Sequence, residues 1–140
     1  MFDNIFNMLF GNNRNRMYNN YRSRNTNKYM YNLVSFEQAK EMIENKKVVL
    51  MDVRTKSEYD LMHITNAINI PVDEIEKQIF MYEQKTPIMI YCSSGARSKT
   101  ALQILNSLGY TNIYIWEYGA LATFPYKNML VYGENVRKEI

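Results

Sequence analysis

From residue 31 onward, short apolar runs alternate with amphipathic segments, and this alternation restricts the chain to few folds. Apolar runs of strand length occupy residues 48–53, 67–70, 87–91 and 112–116. Helical patterns lie between or before them, at residues 36–44, 57–61, 73–82 and 96–108. Strands that are separated by helices pair in parallel, because a crossover is needed to return the chain to the same edge of the sheet. We therefore predict an α/β domain over residues 31–140, with a central parallel sheet and helices on both faces.

Residues 1–30 lack this pattern. Asn and Arg dominate residues 11–30 without any hydrophobic period, which predicts a flexible linker. The apolar side chains of residues 1–10 would share one face of a short helix, and such a face could make weak contact with a membrane surface or a partner. A disordered chain end is the alternative.

Charge and cysteine content exclude several classes of protein. Residues 1–30 carry five basic side chains and one acidic one, whereas residues 31–140 carry twelve basic and thirteen acidic. The domain itself therefore gives no reason to expect a nucleic-acid partner. The single cysteine, Cys92, excludes an internal disulfide and a Cys-rich zinc site. No apolar run approaches the roughly 20 residues that span a bilayer, and the N-terminus makes a poor secretory signal. We expect a cytoplasmic protein without metal or cofactor.

The only cysteine follows a predicted strand directly and precedes a predicted helix. The connecting loop is Cys92-Ser93-Ser94-Gly95-Ala96-Arg97-Ser98. Ligands bind at this edge of open α/β sheets, and a short glycine-containing loop can turn its N–H groups toward an anion at the helix N-terminus. This arrangement favours a reactive thiolate, with the serines as hydroxyl donors and Arg97 as a fixed positive charge. A buried, inert cysteine is the alternative.

Two long stretches of the sequence resemble the rhodanese-homology domains, a family that includes single-domain thiosulfate and polysulfide sulfurtransferases. The cysteine loop resembles the family's active-site loop, C-x-x-G-x-R-S. Residues 52–71 resemble its D-V-R-x-x-x-E-[FY]-x-x-G-H-I-x-G-A-I-N-[IV]-P stretch, and residues 109–114 resemble G-[FY]-x-N-[VI]-Y more weakly. The resemblance covers about residues 32–125. It implies that Cys92 accepts a sulfane sulfur from thiosulfate, polysulfide or a protein persulfide and passes it to a thiol or cyanide-like acceptor.

Loop length separates this chemistry from that of related proteins. Four residues lie between Cys92 and Arg97, as in the sulfurtransferases that the chain resembles, whereas the related cysteine phosphatases have five. A phosphatase is therefore disfavoured. The loop interior, Ser93 to Ala96, lacks basic residues, which weakens the case for the thiosulfate dianion and leaves polysulfide or a protein persulfide open. A non-catalytic binding or sulfur-carrier module remains the alternative.

Four polar residues of the second stretch are expected to shape the pocket or to brace its loops: Asp52, Arg54, Glu58 and His63. We expect Arg54 to pair with Glu58 and His63 to bind backbone carbonyls. The alternative assigns Asp52 and His63 as acid and base for Cys92. The persulfide reaction needs no protein base once the thiol is ionised, which favours the bracing roles.

The chain departs from the family pattern at several turns. Met62, Asn66 and Tyr118 stand where the family usually has glycine, and Thr123 stands where tryptophan is common. These departures leave the local turn geometry open. None of them involves Cys92.

Overall fold

The computed structural model describes residues 29–133. The predictions for residues 1–28, a flexible linker and an apolar contact segment, lie outside the described residues. The described part contains seven strands: β1 (Asn32–Leu33), β2 (Val49–Asp52), β3 (Met62–Ile64), β4 (Ile68–Asn69), β5 (Ile88–Tyr91), β6 (Ile113–Ile115) and β7 (Leu130–Tyr132). It contains four α-helices: α1 (Phe36–Glu44), α2 (Lys56–Leu61), α3 (Ile75–Gln78) and α4 (Ala96–Ser107).

Five strands form one sheet in the order β1-β6-β5-β2-β4, and every pairing in it is parallel. Strand β5 is therefore central, with β6 and β2 as its neighbours. Asp52 at the end of β2 pairs in register with Tyr91 at the end of β5. The residues that follow these two strands thus leave the sheet at the same edge. The predicted parallel sheet is confirmed.

The side chains of β5 alternate between two apolar clusters, as the pleat requires. Ile88 and Ile90 pack with residues of α3 and α4, whereas Met89 and Tyr91 pack on the other face with residues of α1. All four are fully buried. This explains why the strand is a continuous apolar run rather than an alternating one, and it confirms helices on both faces of the sheet.

The segment predicted as one helix over residues 73–82 is broken into three pieces. Short 3₁₀ turns, Val72–Glu74 and Ile79–Met81, flank the single α-helical turn of α3. The amphipathic pattern is real, because Ile75 and Ile79 are completely buried. No side chain caps either end of α3, so packing of the two isoleucines, rather than a continuous hydrogen-bond ladder, holds this segment.

A second, two-stranded sheet was not predicted. Strands β3 and β7 pair antiparallel, with His63 opposite Val131. Three further 3₁₀ turns, Glu117–Gly119, Leu121–Thr123 and Lys127–Met129, connect β6 to β7. Within residues 29–133, no helix has the length and apolar character needed to cross a membrane.

Candidate active site

Cys92 directly follows β5, and its backbone is held on both sides by the segment that follows β6. Its N–H donates to the carbonyl of Gly119 at 2.9 Å, and its own carbonyl accepts from Leu121 N–H at 2.7 Å. These bonds form an isolated parallel bridge between Cys92 and Ala120. The residue is only 1% exposed. The central strand thus fixes the cysteine at the bottom of its loop.

The thiol sulfur accepts two backbone hydrogen bonds. Cys92 Sγ lies 3.0 Å from the N–H of Gly95 and 3.3 Å from that of Ser98. Gly95 is the N-cap of α4 and has no side chain to satisfy the free amides of the first turn. The sulfur takes the position that an N-cap oxygen normally fills. Two donors and the helix N-terminus therefore stabilise negative charge on this atom.

The loop needs glycine at position 95. Its φ is +115°, in the left-handed region that L side chains rarely adopt, and a Cβ there would lie 2.6 Å from the carbonyl oxygen of Tyr118. The close approach of the two segments is also seen at Ser98, whose hydroxyl donates to Gly119 O at 2.8 Å. The loop is thus shaped against the turn at residues 117–119.

Arg97 forms a bidentate ion pair with Glu58 of α2. Arg97 Nη1 lies 2.7 Å from Glu58 Oε1, and Nη2 lies 3.1 Å from Oε2. Glu58 Oε1 also accepts the backbone N–H of Thr55 at 3.0 Å. The hydrogen bonds from Arg97 are the main cause that lowers the pKa of Glu58 to about 2, and the same pairing raises the pKa of Arg97. Much of the positive charge beside the loop is therefore neutralised.

Arg54 does not pair with Glu58, so this expectation was wrong. Its guanidinium instead binds the buried carboxylate of Asp52, with Nη2–Oδ2 at 2.7 Å and Nε–Oδ1 at 3.0 Å. Its backbone N–H also donates to Asp52 Oδ1 at 2.9 Å. Glu58 binds Arg97 instead, and Arg54 precedes α2, which begins at Lys56. Arg54 therefore lies outside the helix and faces Asp52.

His63 is held by the backbone, which confirms the expectation made for it. Its Nδ1 lies 2.8 Å from the carbonyl oxygen of Tyr59, and the two rings stack with centroids 3.8 Å apart. Among residues 29–133, no hydrogen bond joins His63 or Asp52 to Cys92. The structure therefore does not bring these two residues together with the thiol as an acid–base pair.

The remaining loop residues lie around the thiol. Ser93 Oγ is 3.4 Å from both Glu58 Oε2 and Arg97 Nη2. Ser94 and Ala96 are exposed at the rim of the loop, whereas Ser98 is buried beneath it. The structure thus joins Glu58 to the predicted loop through Arg97 and Ser93, whereas Asp52, Arg54 and His63 make their hydrogen bonds elsewhere.

Two of the three positions where the family has glycine do adopt left-handed backbone. Asn66 has φ +70° and Tyr118 has φ +60°, whereas Met62 has an extended backbone with φ −171°. Asparagine tolerates this region well, and tyrosine does so at some cost. Sequence reasoning missed the role of residues 119–121 in holding Cys92. The small residue Gly119 was the available signal, because a Cβ there would lie 3.1 Å from Ser98.

Comparisons with known proteins agree with this fold. The model of the Rhodanese-like domain matches residues 35–122. Thiosulfate sulfurtransferase GlpE of Coxiella burnetii is 27% identical over 85 residues, which cover 61% of this chain and 79% of that protein. Thiosulfate:glutathione sulfurtransferase of Saccharomyces cerevisiae is 34% identical over 97 residues, with 59% and 70% covered.

A longer protein and a solved structure show the same likeness. The tRNA uridine(34) hydroxylase of Buchnera aphidicola is 32% identical over 87 residues, which cover 58% of this chain but only 28% of that protein. The crystal structure of a rhodanese-related protein from Thermoplasma volcanium superposes with a TM-score of 0.58 at 30% identity, covering 67% of this chain and 90% of that one. Because the family model matches more than half of the chain, this protein belongs to the Rhodanese-like domain family.

Proposed function

We propose that the protein is a sulfurtransferase in which Cys92 carries a sulfane sulfur as a persulfide. The observation that carries this proposal is the pair of backbone hydrogen bonds from Gly95 and Ser98 to the cysteine sulfur. They stabilise the thiolate that must attack the donor. The relatives named as sulfurtransferases support the same reaction class.

The first step transfers one sulfur atom from the donor. The Cys92 thiolate attacks the outer sulfur, the donor's S–S bond breaks, and the remainder leaves with the bonding electron pair. The negative charge is then on the outer sulfur of the persulfide. The amides of Ala96 and Arg97, in the first turn of α4, have no acceptor within the helix, and we infer that they stabilise this charge. In the second step an acceptor thiolate or cyanide attacks the outer sulfur and releases Cys92 as a thiolate.

This reaction uses no protein base. Asp52 is occupied by Arg54, and His63 is occupied by the carbonyl of Tyr59. The loop instead acts on the sulfur through fixed dipoles, which need no reorganisation when charge moves between the two sulfur atoms. Asp52 and His63 accordingly serve to position the strand ends around the site.

The cysteine loop offers no uncompensated guanidinium to the sulfonate group of thiosulfate. Arg97 is the only basic residue of the loop, and Glu58 holds it in a bidentate pair. The thiosulfate dianion therefore gains little from Arg97, because Glu58 already compensates the charge of that guanidinium. We propose polysulfide or a protein persulfide as the better donor.

The test is the intact mass of the protein and of Cys92→Ser after exposure to thiosulfate and, separately, to polysulfide. We expect the parent alone to gain one sulfur atom, faster with polysulfide, and to lose it as thiocyanate when cyanide is added. Absence of the gain with both donors would overturn the proposal. Rapid charging followed by slow release to cyanide would instead identify a sulfur carrier that needs a protein acceptor.

A further inference from the structure

An apolar groove of about 320 Å³ adjoins the cysteine loop. Its walls come from the segment before and within β1, from α4, and from the end of β6, and most of them are aromatic or aliphatic. They include Tyr29, Tyr31, Leu33, Leu102, Ile115 and Tyr118. A cavity of this size and composition suits a small organic molecule rather than an inorganic sulfur compound.

The groove reaches the residues that hold the thiol. Gly95 and Ser98 both line it, and both donate their N–H groups to Cys92 Sγ at 3.0 and 3.3 Å. Ser94, exposed at the rim of the loop, lines it as well. A molecule bound in the groove therefore lies next to the two residues whose N–H groups donate to the reacting sulfur.

Tyr118 contributes an aromatic ring to the groove although its backbone conformation is unfavourable for a residue with a side chain. It has φ +60° and is 68% exposed, so neither backbone preference nor core packing explains a tyrosine here. Strain of this kind persists where the side chain has another use. Its ring lines the groove beside the loop.

Lys99 gives the groove a positive charge. It is exposed, it lines the groove, and it takes part in none of the ion pairs within residues 29–133. Its ammonium group is thus available to an anionic ligand. The groove therefore combines an aromatic wall, one cation and the two residues that donate hydrogen bonds to the thiol.

We propose that this groove binds the organic part of the sulfur acceptor, a small thiol with an aromatic or other bulky apolar body and a carboxylate that Lys99 attracts. The proposal rests on the sulfurtransferase function proposed above. In the transfer, the bound thiol gives its proton to the anionic outer sulfur of the Cys92 persulfide, and the resulting thiolate attacks that sulfur, so that R–SH plus Cys92–S–S⁻ gives R–S–SH and the Cys92 thiolate. One S–S bond breaks, another forms, and no outside oxidant or reductant is needed.

Binding can be tested without catalysis by isothermal titration calorimetry. We expect 4-ethylbenzoate, which has no thiol, to bind in a saturable way. Glycine suits the positive φ at position 118, so Tyr118→Gly removes the ring without straining the backbone. The Kd of this variant for 4-ethylbenzoate should rise about fivefold. Lys99→Gln should weaken 4-ethylbenzoate about threefold and leave 4-ethylbenzamide unaffected. Phe80→Ala, which removes an exposed ring outside the groove, should match the parent.

Turnover then tests the acceptor role. With the persulfide formed, kcat/KM for 4-(2-sulfanylethyl)benzoate should exceed that for 3-sulfanylpropanoate about tenfold, and Tyr118→Gly should reduce the ratio toward one. A titration that shows no binding, or equal kcat/KM for the two thiols in the parent, would overturn the groove assignment even if Cys92 forms its persulfide. Failure of Cys92 to gain sulfur overturns the function instead, and the binding titration still decides whether the groove takes the ligand.

Discussion

Gly95 controls two properties of the site at once, the shape of the loop and the position of one donor to the thiol. Gly95→Ala places a Cβ 2.6 Å from Tyr118 O at a φ of +115°. We expect a loss of about 1–3 kcal/mol in the free energy of unfolding. We also expect persulfide formation to slow at least about tenfold, because the N–H that holds Sγ must move. Urea denaturation and time-resolved intact mass measure the two effects.

Gly109→Ala is the matched control for this substitution. Gly109 also has a left-handed backbone, with φ +94°, but it lies beyond the other end of α4. The Gly109→Ala variant should lose a similar amount of stability, and its Cys92 should form the persulfide at the parental rate. Equal slowing in both variants would show that the rate follows global stability rather than the geometry of the loop.

Residue identity predicted the cysteine loop well and the ion pairs poorly. The loop is contiguous, so strand, cysteine, glycine and helix could be read directly from the sequence. Glu58 and Arg97 lie 39 residues apart and meet only because α2 and α4 begin at the same edge of the sheet. Arg54 was expected to pair with Glu58, but it binds Asp52, two residues before it, and leaves Glu58 to Arg97.

Helix α2 carries Glu58 toward the loop, and its N-cap fixes that orientation. Thr55 Oγ1 accepts the N–H of Glu58 at 3.2 Å, and Glu58 Oε1 in turn accepts the N–H of Thr55. Thr55→Ala should cost about 0.5–2 kcal/mol of stability. Because the freed Glu58 holds Arg97 less firmly, we expect persulfide formation to slow by about a factor of three. Denaturation and the rate of mass gain are the measurements.

Ser35→Ala removes the same type of cap from α1, which carries no member of the candidate site. Ser35 Oγ accepts the N–H of Gln38 at 3.0 Å. This variant should lose a comparable amount of stability and form the persulfide at the parental rate. If Thr55→Ala also kept that rate, the cap would stabilise the helix without positioning the site.

Elements that bury all their residues were predictable, and elements that depend on distant contacts were not. Strand β5 is apolar throughout because both of its faces are covered. Strand β3 contains Met62 and His63 and has no such signature, since it exists only by pairing with β7 about 70 residues later. The turns after β6 likewise form where residues 119–121 bind the backbone of Cys92. Such segments take their structure from their partners rather than from local sequence.

At the scale of the whole molecule, the parallel sheet gathers the site at one edge. The ends of β2, β5 and β6 supply the Asp52–Arg54 pair, the cysteine loop and the supporting turn, respectively. These segments are distant in sequence and are held together by backbone hydrogen bonds, and the Glu58–Arg97 ion pair joins α2 to the cysteine loop. Protonation of a carboxylate in such a pair should therefore affect the stability of the domain as well as the site.

Glu58 makes this linkage measurable. Its pKa is lowered to about 2 in the folded protein, chiefly by Arg97, from an ordinary value of 4.5. The stabilisation from its charge is thus fully present above pH 4.5 and is lost as the pH falls toward 2. Both side chains are 35% exposed, so solvent screening limits the effect to about 0.5–1 kcal/mol. Glu58→Gln should be less stable than the parent by this amount at pH 7, and the difference should shrink between pH 4.5 and pH 2.

Urea denaturation of both proteins at pH 7, 4.5, 3 and 2 measures this difference directly. Burial raises the pKa of Glu117, which acts in the opposite direction by favouring the fold as the pH falls. Glu117 is present in both proteins, so its contribution cancels when the two curves are subtracted. A difference that stayed constant down to pH 2 would show that Glu58 stabilises the fold through packing or neutral hydrogen bonds. Its charge would then serve only to compensate Arg97 beside the thiol.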